Sequence, residues 1–549
     1  MQLFGAFTLM PPLVAIILAF ITKEVIFSLF IGIFSGTFLL SLSSNFFEKE
    51  LPIFSDYMNL LVQSFSKITH FVLGSMADSG NAGILLQVLC IGGVVALVSK
   101  MGGFIAIAKG LSRLVKGPAS AQVNTWLVGL CIFFDDYANS LTVGPIMRPI
   151  TDKFKISREK LSFILDSTAA PVAGIAVIST WIGFEVSLIK NAYELAGVEN
   201  VNAYSIFLQT IPYRFYNIFM LLFVVLTALM GREFGPMLAA ELRARRGEKS
   251  LGATDKEGQL EPELTPDEGV EPKISDALVP ILTLIIFAFI GFYFNGLSAT
   301  EGADLDKIMA NPLSFDAFSI TFGNADSSVV LFQAALFATV IGLFWGVTRG
   351  KITLKDGIES WLHGWKSMIF TACILLLAWS LTAIVKELGT PKYIIGLLAE
   401  GTPQVLLPSV IFLFGSMISF AIGTAFGTMG ILMPLAIPLA FAVGKNYGLE
   451  ADALHQYMVI NIASVLTGSI FGNSCSPIGD CVILSAISAK CTLTAHVQTQ
   501  LPYSMFICAI SVLFGYLPAA FNLNVFYIIV TGILAMIVSL RFIGKKVEV

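Results

Sequence analysis

Charge is scarce in this 549-residue chain: 33 Lys and Arg and 37 Asp and Glu make up 13% of it, and the net charge is −4. A soluble globular chain carries about 25% charged residues. No basic patch marks a nucleic-acid surface. Cysteines number seven and histidines four. No CxxC pair, disulfide-like framework or HExxH spacing appears among them, so they read as packing residues. No hydrolase or metalloprotease motif is present either, which argues against an enzyme. The N-terminus has no charged leader followed by a small-residue cleavage site, so its first apolar run reads as a retained helix.

Apolar sequence is abundant, at 56%. It recurs in long runs, such as Leu13 to Leu42, Val279 to Phe294, Val329 to Val347 and Phe526 to Leu540. Several reach the roughly 17–25 residues that cross a bilayer as a helix. The fold class expected is an all-α polytopic membrane protein whose first partner is the lipid bilayer.

From Arg232 to Lys273 the pattern breaks into Glu, Pro and Gly, the composition of a solvated connector. It divides the chain into an N-terminal membrane half (1–230), a linker (231–275) and a C-terminal membrane half (276–549). The halves share motifs in the same order: VSKMGG with VKELGT, GPIMRP with MPLAIP, STWIGFE with CSPIGDC, and QTIPYRF with TQLPYSM. All four pairs lie about 290 residues apart, a spacing that reads as an internal repeat.

Lys and Arg concentrate in 100–116, 148–160, the linker, 349–355 and the tail at Lys545–Lys546. Cytoplasmic loops carry that excess. Residues 100–116 and 153–160 stay on one side only if 121–152 is a re-entrant hairpin. Its tip is then the stretch from Asp135 to Ser140. The matching hairpin, 404–443, enters from the other side with its tip near Gly423–Gly430. The linker and C-terminus are expected to be cytoplasmic.

The segment 161–190 would extend about 45 Å as one helix, against a hydrocarbon core of about 30 Å. Pro171, Gly174 and STWIG interrupt it. Its counterpart, 455–488, contains GSIFGNSCSPIGD. Both read as discontinuous helices whose unwound backbone lines a cavity. Two inverted repeats, each with a hairpin and a broken helix, describe a secondary transporter. About 11 transmembrane helices plus two hairpins are expected.

FDDYANSLTVGPIMRPITDKFKISREKLSFILDSTAAPVAG, LAWSLTAIVKELGT and GNSCSPIGD closely resemble the NhaC-type sodium:proton antiporter family. The resemblance covers most of the chain outside the linker. It implies an elevator-type, usually dimeric carrier of the ion-transporter superfamily in a bacterial-type plasma membrane. Sodium and a proton would be the transported ions, and no further cofactor is implied. Relatives in that superfamily also move organic solutes, including malate against lactate.

An Asp at bilayer depth costs about 2.5–3.5 kcal/mol on insertion scales. Asp135 and Asp136 stand side by side, so they should titrate as a coupled unit and lose that cost when a cation or proton binds. Sodium favours oxygen ligands, and the expected set is Asp135, Asp136, Asn139, Asn473 and Asp480. Ser140 at the first tip and Ser179, Thr180, Ser474 and Ser476 at the breaks are further candidate ion- or substrate-binding residues. Thr424, Gly427 and Thr428 mark the second tip as part of a pseudo-symmetric ion or substrate pocket. Asp166 and Glu185 are candidates for proton coupling. Helix capping is the competing role for Asp135 and Asp136 and for the Asn and Ser residues. Sodium/proton antiport leads. An ion-coupled organic-acid or amino-acid carrier is the alternative, ahead of a membrane enzyme or a channel.

Overall fold

A computed structural model describes residues 5–22, 24–42, 54–112, 115–198, 201–248, 270–390, 393 and 401–547. These residues are overwhelmingly helical. Among them, nine helices are long and apolar enough to cross a membrane. About eleven were expected. The count becomes ten if Ala203–Tyr213 and Phe215–Met230, bent by 44° at their junction, form one broken span. The expected linker residues 249–269 lie outside the described residues.

The chain forms two compact units, and each takes segments from both sequence halves. One contains Met1–Leu85, Phe184–Tyr213 and Phe370–Gly472, the other Leu86–Gly183, Arg214–Ile369 and Asn473–Val549.

In the first unit, the Leu407–Ile422 helix ends at Gly423 in the left-handed region (φ +81°). Thr424 then takes the N-cap position of the Ala425–Asn446 helix without a side-chain capping bond. Small residues let the Ala451–Asn473 helix approach Leu407–Ile422 backbone to backbone. A Cβ on Gly472 would stand 1.9 Å from Phe420 N, and one on Gly468 would stand 2.6 Å from Phe412 O. Close helix packing through small residues is how membrane helices associate where lipid offers no hydrophobic drive.

In the second unit, Pro118–Cys131 turns at 132–135 into Asp136–Lys153. Asn139 fixes that turn: its Nδ2 donates to Gly129 O (2.7 Å), Ile132 O (3.2 Å) and Thr168 O (2.9 Å). Ser157 caps the next helix, Arg158–Thr168, through Lys160 N. One more turn, Ala170–Ala173, follows before the backbone leaves helical geometry. Buried polar side chains satisfy the exposed carbonyls, as an unwound segment away from water requires. Asn217 Nδ2 donates to Pro171 O (3.0 Å), and the fully buried Arg214 donates to Gly174 O. Thr180 N returns to Phe134 O at 2.9 Å, tying the unwound stretch to the hairpin turn. The second break falls at 474–479, after which Asp480–Ala489 resumes as helix.

Residues 232–245, expected to belong to the linker, are ordered. Arg232–Glu233 pairs antiparallel with Lys545–Lys546, and Gly235–Arg245 is a helix that buries Met237, Ala240 and Glu241. The polar composition misled here because its charges are paired inward. Lys160 Nζ stands 2.7 Å from Glu233 Oε1, and Ser157 N donates to Glu241 Oε1 at 2.7 Å. Arg245 Nη1 donates to Phe154 O at 2.7 Å. Three basic segments, 153–160, 232–246 and 541–546, are thereby held together.

Candidate functional site

The two Asp side chains sit where the hairpin turn meets both breaks. Asp135 is the N-cap of Asp136–Lys153, and its Oδ1 accepts from Ala138 N at 2.7 Å. Its Oδ2 accepts from Thr180 Oγ1 at 3.2 Å. Asp136 Oδ1 accepts from Trp181 Nε1 at 3.1 Å, and its Oδ2 from Cys481 Sγ at 3.0 Å. The pair is buried, at 4% and 3% exposure. All four oxygens therefore meet neutral donors. Among the described residues, no Lys or Arg pairs with either acid. The arrangement holds the two carboxyl groups in place through neutral donors.

A cavity of 490 Å³ opens beside the pair. Asp135, Tyr137, Thr142, His363 and Asp480 supply polar groups, and residues such as Val95, Leu141, Met368, Ile483 and Leu484 supply apolar wall. Tyr137 OH donates to Asp480 Oδ2 at 3.3 Å, joining the first turn to the start of the helix after the second break. Ser140 Oγ and Ser485 Oγ stand 3.2 Å apart below them.

The expected residues divide accordingly. Asp135, Asp136, Thr180 and Asp480 come together, whereas Ser140 meets Ser485 and does not line the cavity. Asn139 serves the turn through its nitrogen, while its Oδ1 has no partner. Asn473 Nδ2 donates to Cys481 Sγ at 3.2 Å. Ser179 Oγ accepts from Trp181 N, and Ser476 Oγ from Ile478 N, so both shape the backbone of the breaks. Ser474 and Asp166 lie deeper and are linked through Gln500.

Thr424, Gly427 and Thr428 are in the first unit and do not line this cavity. The Thr428 hydroxyl closes on Thr424 O at 2.9 Å, and a Cβ on Gly427 would meet Val25. Glu185 is fully buried, also in the first unit. Cys481 and His363, expected to be bland packing residues, touch the pair and the cavity respectively. Trp181, Tyr137 and Gln500 were missed. Trp181 and Cys481 lie inside the very motifs that mark the breaks, and that adjacency was the available signal.

Unwound helices meeting at buried carboxylates, on an all-helical frame with multiple apolar spans, define a membrane transporter. The family description "Na+/H+ antiporter family" matches residues 172–518, and this chain belongs to that family. An uncharacterised protein of Haemophilus influenzae is 30% identical over 518 residues, 94% of this chain and 91% of that protein. The arginine/ornithine antiporter ArcD of Halobacterium salinarum is 26% identical over 207 residues, 37% of this chain and 39% of ArcD.

Two solved structures share the fold. The YdaH transporter of Alcanivorax borkumensis has a TM-score of 0.51 at 14% identity, over 89% of this chain and 90% of that one. MtrF of Neisseria gonorrhoeae, described with a class of antimetabolite efflux pumps, also has a TM-score of 0.51 at 14% identity. Its coverage is 88% of this chain and 92% of MtrF.

Proposed function

We propose that this protein is a sodium/proton antiporter of the plasma membrane, working by alternating access, with the Asp135–Asp136 pair carrying sodium or a proton in turn. The observation that supports this most is the pairing itself: two adjacent buried acids, four neutral donors and no fixed cation. Such a pair is costly to leave charged and empty. It is stabilised equally by a hard cation or by protonation, and competition between the two is antiport.

The proposal includes inverted repeats, an elevator-type movement and a homodimer. A helix–turn–helix at 132–135 has its counterpart at Gly423–Thr424, and breaks at 174–181 and 474–479 match in the same order. The basic segments 153–160, 232–246 and 541–546 are held together, which suits one cytoplasmic face and a re-entrant 121–152. Labelling cysteines introduced at 153–160 in sealed vesicles tests that orientation; labelling from outside rejects it.

The cavity favours a second reading. Its volume and apolar wall exceed what a bare ion needs and are closer to the size of small-molecule sites. Two carboxylates with no Lys or Arg in the lining suit a solute bearing an ammonium or guanidinium group. The partial similarity to an arginine/ornithine antiporter agrees with this amino-acid form of the alternative. Proteoliposomes distinguish the readings. A sodium gradient alone should drive proton movement under the first. Under the second, proton or sodium movement should require a cationic amino acid.

A further inference from the structure

Asp166 is fully buried on the Arg158–Thr168 helix. Its Oδ2 accepts from Gln500 Nε2, which also donates to Ser474 O in the second break. Its Oδ1 has no partner. Gln500 Oε1 and Ser474 Oγ, on side chains that are also fully buried, have none either. Three unpartnered oxygens, one on a carboxylate and one a hydroxyl, thus lie on three buried residues joined through a single glutamine amide. No ion pair reaches Asp166 among the described residues. An ionised carboxylate left in this state costs on the order of several kcal/mol, and each unpaired buried oxygen adds to it.

A proton on Asp166 turns one oxygen into a donor that can serve one of the other two and leaves the third as it is. A dehydrated monovalent cation uses all three. We propose that Asp166, Gln500 and Ser474 form a second, buried binding site for a monovalent cation, sodium above all, separate from the Asp135–Asp136 pair. The choice of ion rests on the antiport reading; the site itself does not.

The two sites are connected. Ser474 follows Asn473, whose amide donates to Cys481 Sγ, and that thiol donates to Asp136. Occupation of the deep site fixes the second break, and the helix that begins just after it carries the thiol that serves the pair. The deep ion is therefore placed to set the geometry in which the exchanging ion binds.

The test uses the full chain in nanodiscs with choline replacing sodium, read by equilibrium binding of radioactive sodium and by the sodium-induced shift in melting temperature. The Asp135→Asn/Asp136→Asn double variant should still bind one sodium per chain. Adding Asp166→Asn should abolish that binding. Ser474→Ala in the double variant should weaken it about ten- to hundredfold without changing the melting temperature in choline, which separates ligand loss from misfolding.

Sodium binding that vanishes in the double variant but persists in wild type overturns the deep site and leaves the antiport reading standing. Binding in the double variant that survives Asp166→Asn also overturns it. If the double variant keeps full exchange yet Asp166→Asn loses binding, the deep site stands and the assignment of transport to the pair fails. A wild-type chain that binds no sodium overturns both.

Discussion

Cys481 Sγ stands 3.0 Å from Asp136 Oδ2 and donates to it across 345 residues of sequence. The thiol is a weak donor, but here it serves a buried carboxylate. A hydrogen bond to a charged group contributes about 1.5–3 kcal/mol. Cys481→Ser keeps a hydroxyl donor at this position and should retain exchange. Cys481→Val keeps the volume but removes the donor. It should weaken the apparent sodium affinity by roughly tenfold or more. Sodium titrations of exchange in proteoliposomes measure both variants. Equal affinity in Cys481→Val and wild type would show that the thiol is packing alone.

The two acids should separate in stability although both are needed for transport. Asp135 caps a helix and Asp136 does not. Asp135→Asn and Asp136→Asn should each abolish sodium-driven pH change, because the exchangeable charge is gone. Asp135→Ala should in addition lower stability by about 0.5–2 kcal/mol, the usual worth of an N-cap, whereas Asp135→Asn keeps a capping oxygen. Melting curves alongside transport check the pattern. Exchange at wild-type level in both Asn variants would return the pair to a purely structural role.

Gly92 and Gly364 let two helices cross in the second unit at the edge of the cavity. A Cβ on Gly364 would lie 2.3 Å from Gly92 O, a backbone atom that cannot swing aside. Gly364→Ala should therefore destabilise the protein by about 1–3 kcal/mol, the range for overpacking. An unchanged melting temperature would mean that this crossing is looser than described.

The breaks were legible in the sequence because Gly, Pro, Ser and Asn cluster inside segments too long for one span. Asp135 and Asp136 were legible because an acid in an apolar run has few bland explanations. Trp181 and Cys481 were not, since both are ordinary residues of apolar segments and only their partners give them a role. Asp166 and Gln500 lie 334 residues apart, and no periodicity relates them. The helix at Gly235–Arg245 was hidden for the opposite reason. Its Arg and Glu residues give it the composition of a solvated linker, yet Glu233 and Glu241 are 1% exposed.

That helix supplies the last prediction. Glu241 lies outside the membrane-spanning helices and is buried. Loss of solvent raises its pKa, nearby Glu233 raises it further, and the bond from Ser157 N and the charge of Lys160 only partly oppose this, leaving it at about 7. Arg245, 3.7 Å away, also faces it. The unfolded value is 4.5. A raised acid binds its proton more tightly in the folded state, so folding is favoured most below about pH 4.5 by this group. That contribution is lost as pH rises through about 7, since stability falls wherever the folded state holds more protons. Glu241→Gln keeps an acceptor for Ser157 N but cannot ionise. The wild-type melting temperature should therefore fall relative to Glu241→Gln between pH 4.5 and 7, and the gap should stay constant above that. Parallel pH dependence in the two proteins would show that Glu241 stays ionised throughout.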